Sequence, residues 1–232
     1  MVFWRSSVAA VTVLILLRMT QGPGWFALLR NSGPALWISG LCWAVMFICF
    51  MVSLTLTKVA NVLIVQSLAP VFTALLVWLV LGRALAPLSW LAMVVAAIGM
   101  AIMYVGDVAE LQGHHALGML VALCIPLASA VNLVVLQRVG KSVDLRAAVM
   151  IGAALAALMA LPLAVPLRAD AHDIFWLAFL GVFQLGIPCM LLVLSARKLA
   201  AHELALLSLL EIVFGVAWAW LFAGEAPGAM TL

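Results

Sequence analysis

Long apolar runs, separated by short polar breaks, constrain the fold of this chain more than any other feature. A helix needs about 20 mostly apolar residues to cross a membrane, whereas barrel strands are about half as long and alternate in polarity. Hydrophobic residues make up 69% of the 232 positions and charged residues 8%, which leaves too little polar surface for a water-soluble globule. The sequence therefore predicts an all-α, polytopic membrane helix bundle. The eight predicted spans cover residues 3–17, 35–56, 59–81, 86–106, 116–137, 145–165, 174–194 and 203–223.

The first predicted span has a second interpretation. It is short, carries Arg5 and follows Met1 directly, which is also the arrangement of a signal peptide. No good small-residue cleavage site follows it, because the next residues read Met-Thr-Gln-Gly at 19–22. We therefore interpret the segment as a membrane span.

Positive charges fall mainly on one side of the predicted bundle. If successive spans alternate in direction, eight Lys and Arg residues lie on one side and Arg5, Lys58 and Arg168 lie on the other. Cytoplasmic loops are enriched in Lys and Arg, so the richer side is predicted to be cytoplasmic, with both ends of this chain outside. The eight residues are Arg18, Arg30, Arg83, Arg138, Lys141, Arg146, Arg197 and Lys198.

The segment 59–83 returns in a diverged form at 201–225. The equivalent pairs include Trp78 with Trp220 and Gly82 with Gly224, although two apolar helices also match by chance at Leu and Val positions. These copies are the third and eighth spans, so they cross the membrane in opposite directions, as the halves of inverted-repeat transporters do. The predicted repeats are residues 1–106 and 107–232. A period of five spans implies ten in a complete protein of this design.

Three motifs resemble the EamA-like branch of the drug/metabolite transporter superfamily. The opening FWR at 3–5 resembles the start of that family's second helix, and LAPVF at 68–72 with LG at 81–82 resembles its fourth. The most specific motif is LEIVF at 210–214 followed by GE at 224–225, which resembles the ninth helix. The resemblance covers nearly the whole chain. It implies a bacterial inner-membrane permease with two inverted five-helix repeats that exports or exchanges a small metabolite, amino acid or drug-like solute.

Some positions depart from that family pattern. Ala69 and Arg83 stand where the pattern has Glu, and Ile212 stands where it has Pro. The family's first and last helices also have no counterpart in the chain. These departures leave two alternatives open: a shortened form or fragment of a permease, and a truncated, non-transporting membrane protein that acts only by packing with partners, for example as a homodimer.

Glu211 is the first candidate for a functional side chain. At 1.5 Å per residue it lies roughly 12 Å into the eighth predicted span, near the middle of the membrane. A carboxylate there costs about 2.5–3.5 kcal/mol unless it faces a cavity, has a partner or is protonated. Ser208, Glu211 and Trp218 share one helix face, which predicts a pathway lining with Glu211 as a proton-coupling group or substrate counter-ion. The alternative is a structural Glu that bonds across the bundle.

Two glutamines each precede a proline by four residues, Gln66 before Pro70 and Gln184 before Pro188. Proline has no N–H, so in a helix the carbonyl of each glutamine loses its partner next to an amide side chain. Inside a membrane these polar groups must turn toward protein or water. The pattern therefore predicts substrate contact at two kinked helices, or alternatively hydrogen bonds that only join neighbouring helices.

Further candidates lie in the fifth span and among the tryptophans. Ser129 and Asn132 follow Pro126 at helical spacing and are predicted either to contact substrate or to pack between helices. Trp43 and Trp218 lie deeper than the tryptophans of the interfacial belt, so they are predicted to line a cavity or, alternatively, to face lipid or pack inside the bundle.

The sequence contains no motif for metal binding, phosphate binding or hydrolysis. The four cysteines lie in apolar runs without metal-ligand spacing, and no Gly-rich phosphate loop or hydrolase triad is present. The net charge of +3 is spread over many loops, which disfavours a nucleic-acid surface. We therefore predict neither an enzyme nor a metal or cofactor site. The predicted partners are the lipid bilayer, a small-molecule substrate and protons.

Overall fold

A computed structural model describes residues 1–24, 29, 33–82, 91, 94–95, 98, 113–139, 144–164, 170–196, 214, 217–218 and 220–222. Every regular element in this part of the chain is a helix and none is a strand, which confirms the prediction of an all-α protein. The α-helices are α1 (Val2–Gln21), α2 (Gly33–Leu56), α3 (Val59–Gln66), α4 (Ala69–Leu81), α5 (Gly113–Val139), α6 (Arg146–Ala164), α7 (Ala171–Leu180) and α8 (Ile187–Ala196). A 3-10 turn (Gly22–Gly24) follows α1, and a π-helical segment (Gly181–Gly186) joins α7 to α8.

Five helical segments of the described chain are long and apolar enough to cross a membrane, and α6 is a shorter apolar helix. The predictions at 86–106 and 203–223 fall largely outside the described residues, so the eight-span inverted repeat stays a prediction. The five segments are Val2–Gln21, Gly33–Leu56, Asn61–Val80, Leu117–Val139 and Ala171–Ser195.

The first span extends beyond its predicted end at residue 17. The helix continues through Arg18 and ends at Gly22, whose φ of 62° stops the helical repeat. Arg18 is exposed on the last turn, where a cation also interacts favourably with the negative end of the helix dipole.

The described structure forms two compact units. Unit 1 contains residues 1–51 and 135–200, and unit 2 contains residues 52–134 and 201–232. Each unit therefore draws on both halves of the sequence. The predicted repeats, 1–106 and 107–232, describe sequence similarity rather than these spatial units, and they stay predictions.

Small residues bring the helices of unit 1 close together. Gly152 of α6 lies directly against α2, because a Cβ atom placed on it would be 2.3 Å from the Trp43 Cβ and 2.8 Å from the Gly40 backbone oxygen. Glycine and alanine at such a seam allow two backbones to approach, which is how helices associate where lipid removes the hydrophobic driving force. The buried core around this seam includes Ala9, Val13, Leu17, Leu36, Ala44, Phe47, Ala147, Ala148, Val149, Ile151, Ala153 and Ala156.

Asp144, just before α6, joins two helices at one end of unit 1 through polar contacts. Its carboxylate forms an ion pair with Arg146, whose Nε lies 2.9 Å from Oδ1, and accepts a 2.9 Å hydrogen bond from Nε2 of Gln21. The backbone N–H of Arg146 also donates to Asp144 Oδ1 at 3.1 Å. This Asp144 clasp joins the last residue of α1 to the first turn of α6, so the two helices are antiparallel.

In unit 2, the third predicted span is divided into two helices. α3 ends at Gln66, Ser67 and Leu68 form a turn, and α4 begins with Pro70 in its first turn. Proline is favoured there because it has no N–H to satisfy. The break follows from the position of Pro70.

α4 ends at Gly82, which has φ 61° and ψ 16° and donates its N–H to the Trp78 carbonyl at 3.1 Å. A side chain in this left-handed conformation costs about 1–2 kcal/mol. We therefore expect Gly82→Ala to destabilise the end of α4 by about 1 kcal/mol. Thermal unfolding in detergent, compared with Gly24→Ala at a glycine without positive φ, measures the difference; equal unfolding temperatures for the two variants would contradict it.

Candidate functional site

A positive charge lies inside unit 1. Arg5 of α1 is only 2% exposed, and its Nη1 donates a 3.1 Å hydrogen bond to the Gln184 Oε1. Its Nε is buried and has no hydrogen-bond partner among the described residues. An ionised group in a low-dielectric interior is costly unless it is paired and hydrogen-bonded. The arrangement joins two helices, as the alternative prediction for Gln184 states, and its buried charge also makes it a candidate site.

Glycine contacts place Arg5 at the middle of a neighbouring span, although it belongs to the first turn of its own helix. Gly181 packs against the backbone of Arg5, and Gly186 packs against Thr12 one to two turns later, so α1 runs parallel to the π segment. Gln184 lies near the centre of the apolar segment Ala171–Ser195, about 20 Å from its start at 1.5 Å per residue. The guanidinium is thus level with the centre of that segment.

The π-helical segment shapes the site locally. The backbone N–H of Ile187 donates to the carbonyl of Val182, five residues back, which is the π pattern. Pro188 follows and has no N–H to donate to a carbonyl four or five residues earlier. Short π segments inside α-helices are frequent at functional sites. Here the glycines at both ends of the segment let α1 approach closely.

Two further features surround the guanidinium. Gln184 is exposed although it lies in the middle of a membrane-length apolar segment, whereas Arg5 beneath it is buried. A polar amide at that depth requires protein or a water-filled pathway around it. Cys189, which is partly buried, follows Gln184 by five residues in the same apolar segment. The guanidinium therefore lies below an exposed amide, with a thiol later in the same segment.

Unit 2 also contains a buried polar side chain at the point where α3 ends. The side-chain oxygen of Gln66 is buried and has no hydrogen-bond partner in the described part of the chain. A buried polar atom without a partner is uncommon and requires water, an ion or a ligand. Near the start of α3, Asn61 Nδ2 donates to Thr57 Oγ1 at 3.2 Å.

The remaining predicted residues are distributed over both units. Asn132 is 3% exposed and has an interaction partner, and Ser129 is partly buried on the same helix, α5, which contains the buried Pro126. Trp43 is 3% exposed and packs on Phe47 with ring centroids 5.5 Å apart. Trp218 is 63% exposed. Glu211 and Ser208 lie outside the described residues.

The structure joins one predicted residue, Gln184, to Arg5, which the sequence analysis names in the FWR motif and among the outer charges but not as a site residue. The alternation of span directions predicts an outer position for Arg5. The signal that could have identified it is the rule applied to Glu211, that an ionisable residue within an apolar run indicates function. Among the described residues, no group of three His, Cys, Asp or Glu side chains is arranged to hold a metal ion.

The helices and this buried site define a multi-pass α-helical membrane protein with polar groups held inside its apolar segments. The sequence profile of the EamA-like transporter family matches residues 1–105 and 116–232. The chain therefore belongs to the EamA-like transporter family, which confirms the resemblance drawn from the three motifs. At the level of the family it is a membrane permease or exporter, and the family points to a transporter rather than an enzyme.

The chain is also similar to curated and solved proteins. It is 26% identical over 237 residues to the pseudopaline exporter CntI of Pseudomonas aeruginosa strain UCBPP-PA14, and equally to CntI of strain PAO1. Each alignment covers 100% of this chain and 80% of the exporter. A solved crystal structure matches 99% of this chain and 80% of its own, with a TM-score of 0.70 and 18% identity. That last similarity shows the fold alone.

Proposed function

We propose that the protein is a secondary transporter of the bacterial inner membrane that exports a small metabolite by alternating access between two inverted repeats. The observation that carries this proposal is the buried Arg5 guanidinium, hydrogen-bonded to Gln184 at the centre of an apolar segment. Intramembrane charges are rare, face the interior or a water-filled cavity, and mark substrate or ion pathways. A protein that only packs with partners would also join its helices by hydrogen bonds, but it would not require a buried charge to do so.

The alternating-access mechanism is supported by the family match and by the helix directions. The family profile matches the chain twice, on either side of residues 106–115. Within unit 1, α1 is antiparallel to α6 at the Asp144 clasp and parallel to the π segment. These helices lie in the first, sixth and seventh predicted spans, and spans that alternate in direction would have these orientations. Export is proposed rather than uptake because the similar curated proteins are named as exporters. Amino acids and drug-like solutes remain the proposed substrate range.

Flux from proteoliposomes tests the proposal directly. Liposomes containing the purified chain are loaded with a bacterial metabolite extract, and the released solutes are identified by mass spectrometry. We expect one solute or a few related solutes to leave faster than from protein-free liposomes. Release at the protein-free rate for every solute would support the non-transporting alternative. The mass of the detergent-solubilised protein decides between a monomer and the proposed homodimer.

Proton coupling is proposed to use Glu211. Replacing Glu211 by Gln keeps the size of the side chain and removes the titratable group, so we expect flux to lose its dependence on a pH gradient while membrane insertion is unchanged. The measurement is solute flux from proteoliposomes with and without an imposed pH gradient. Glu110→Gln, in a predicted outer loop, is the matched control and should retain the dependence. An unchanged pH-gradient response in Glu211→Gln would refute the coupling role.

A further inference from the structure

We propose that Arg5 and Gln184 form a carboxylate-binding subsite, so that the solutes exported by this protein are carboxylates. The inference rests on the proposed transport function and assigns its substrate class. Arg5 is the binding group, and Gln184 is the residue that positions it. The Gln184 side chain is exposed, so the site has one side that a solute can approach.

The charge of Arg5 has no carboxylate partner among the described residues. The acidic side chains of unit 1 that the structure describes are Asp144, Asp170 and Asp173. Asp144 pairs with Arg146 at the opposite end of α1, and the other two begin α7, more than two helical turns before Gln184. Among the described residues the buried guanidinium bonds to a neutral amide and to no carboxylate, so its full positive charge has still to be balanced.

The geometry of the guanidinium suits a carboxylate. Arg presents five N–H donors in a planar fork, and adjacent donors bind the two oxygens of one carboxylate in parallel. Gln184 accepts from Nη1, while the buried Nε remains without a partner in the described chain. A phosphate also accepts such bonds. The carboxylate is favoured because its planar, bidentate form with a single charge balances a single Arg, and no second described cation contacts this site.

The exposure of Gln184 provides the route to the subsite. The amide lies at the surface of unit 1 in the middle of an apolar segment, and the guanidinium is directly below it. The guanidinium itself is buried, so a solute carboxylate would reach it beside the exposed Gln184 side chain. The π segment keeps these groups together, since Gly181 fixes the backbone of Arg5 against the start of the segment.

Thermal unfolding of the detergent-solubilised protein with matched probe pairs tests the inference. The pairs are phenylacetate with phenylacetamide, succinate with succinamide, and N-acetyl-leucine with its amide, which differ in the carboxylate alone. We expect at least one carboxylate to raise the unfolding temperature while its amide has no effect. Arg5→Gln should weaken this binding at least 10-fold, and Arg5→Lys should weaken it less. Arg18→Gln, which removes an exposed charge from the same helix, should bind as the wild type does.

Gln184→Glu provides a test that does not depend on the Arg5 variants folding. The new carboxylate would form an ion pair with the Arg5 guanidinium and so compete with a solute carboxylate. We expect this variant to unfold at a higher temperature than the wild type without ligand, and to lose stabilisation by added carboxylates. If Gln184 had a structural role alone, Gln184→Glu would raise the unfolding temperature without changing ligand binding. Normal carboxylate binding by Gln184→Glu would overturn the proposal.

Other outcomes separate this inference from the transport proposal. Equal stabilisation by a carboxylate and its amide, or export of neutral solutes only, overturns the subsite and leaves transport standing. Carboxylate binding through Arg5 without any flux overturns transport and leaves the subsite standing.

Discussion

Gly152→Ala is expected to destabilise unit 1 by about 1–3 kcal/mol, the typical cost of inserting an atom into a well-packed core. The added methyl group would lie 2.3 Å from the Trp43 Cβ, 2.8 Å from the Gly40 oxygen and 3.1 Å from the Ala44 nitrogen. Two of these three atoms belong to the backbone of α2, so no rotation of a side chain relieves the contact. The helices α2 and α6 must separate instead.

The unfolding temperature in detergent measures this effect, with Gly24→Ala as the matched control. A Cβ at Gly24 meets no atom within 4 Å, so the same substitution there is expected to leave the unfolding temperature nearly unchanged. A second substitution, Trp43→Ala, keeps a Cβ at 2.3 Å and therefore should not rescue Gly152→Ala. Equal unfolding temperatures for Gly152→Ala and Gly24→Ala would show that the two helices are not in this close contact.

Gly181→Ala is expected to reduce export at least 10-fold, because it separates the two residues of the candidate site. Its methyl group would lie 2.7 Å from the backbone oxygen of Arg5 and 2.9 Å from the Val8 Cβ. The π segment must then move away from α1, which lengthens the 3.1 Å hydrogen bond between Arg5 and Gln184. In enzymes a displacement of about 1 Å can reduce activity about 100-fold, and we expect a similar sensitivity at this binding group. Flux of the identified solute from proteoliposomes is the measurement.

A second glycine of the same segment provides the contrast. At Gly186 the nearest atoms to an added methyl are Cγ2 and Cβ of Thr12, at 2.9 and 3.1 Å. Thr12→Ser removes Cγ2 and retains the hydroxyl, so it should partly restore export to Gly186→Ala. Val8→Ala should not restore Gly181→Ala, because the Arg5 backbone oxygen remains in place. Recovery by both second substitutions would contradict the close contact between α1 and the start of the π segment.

The sequence predicted the helical class and most membrane segments because both depend on apolar length alone. Segment ends were less accurate, since α1 continues past Arg18 to the positive φ of Gly22. The break at Pro70 was predictable because proline removes a donor at a fixed distance. The π segment has no periodic signal of its own, and only Gly181, Gly186 and Pro188 mark it.

The candidate site was predicted only in part. Gln184 was identified from its spacing to Pro188, whereas its partner lies 179 positions away in the sequence. The depth of Arg5 depends on how α1 is staggered against a parallel neighbour, and that stagger is set by glycine contacts between distant segments. Residue type and spacing within one helix contain no information about such a stagger. The role of Glu211 stays a prediction, because that residue lies outside the described chain.

The Asp144 clasp holds α1 at one end, so a rotation of the helix about that end would move its other end the most. Its last residue, Gln21, is held to the first turn of α6, while Arg5 lies at the other end of the helix, roughly 24 Å away at 1.5 Å per residue. A tilt of about 5° around the clasp would move Arg5 by about 2 Å while Gln21 stays nearly still, simply from the length of the helix. A small rotation of α1 at its predicted cytoplasmic end would therefore displace the guanidinium far enough to break the 3.1 Å hydrogen bond to Gln184.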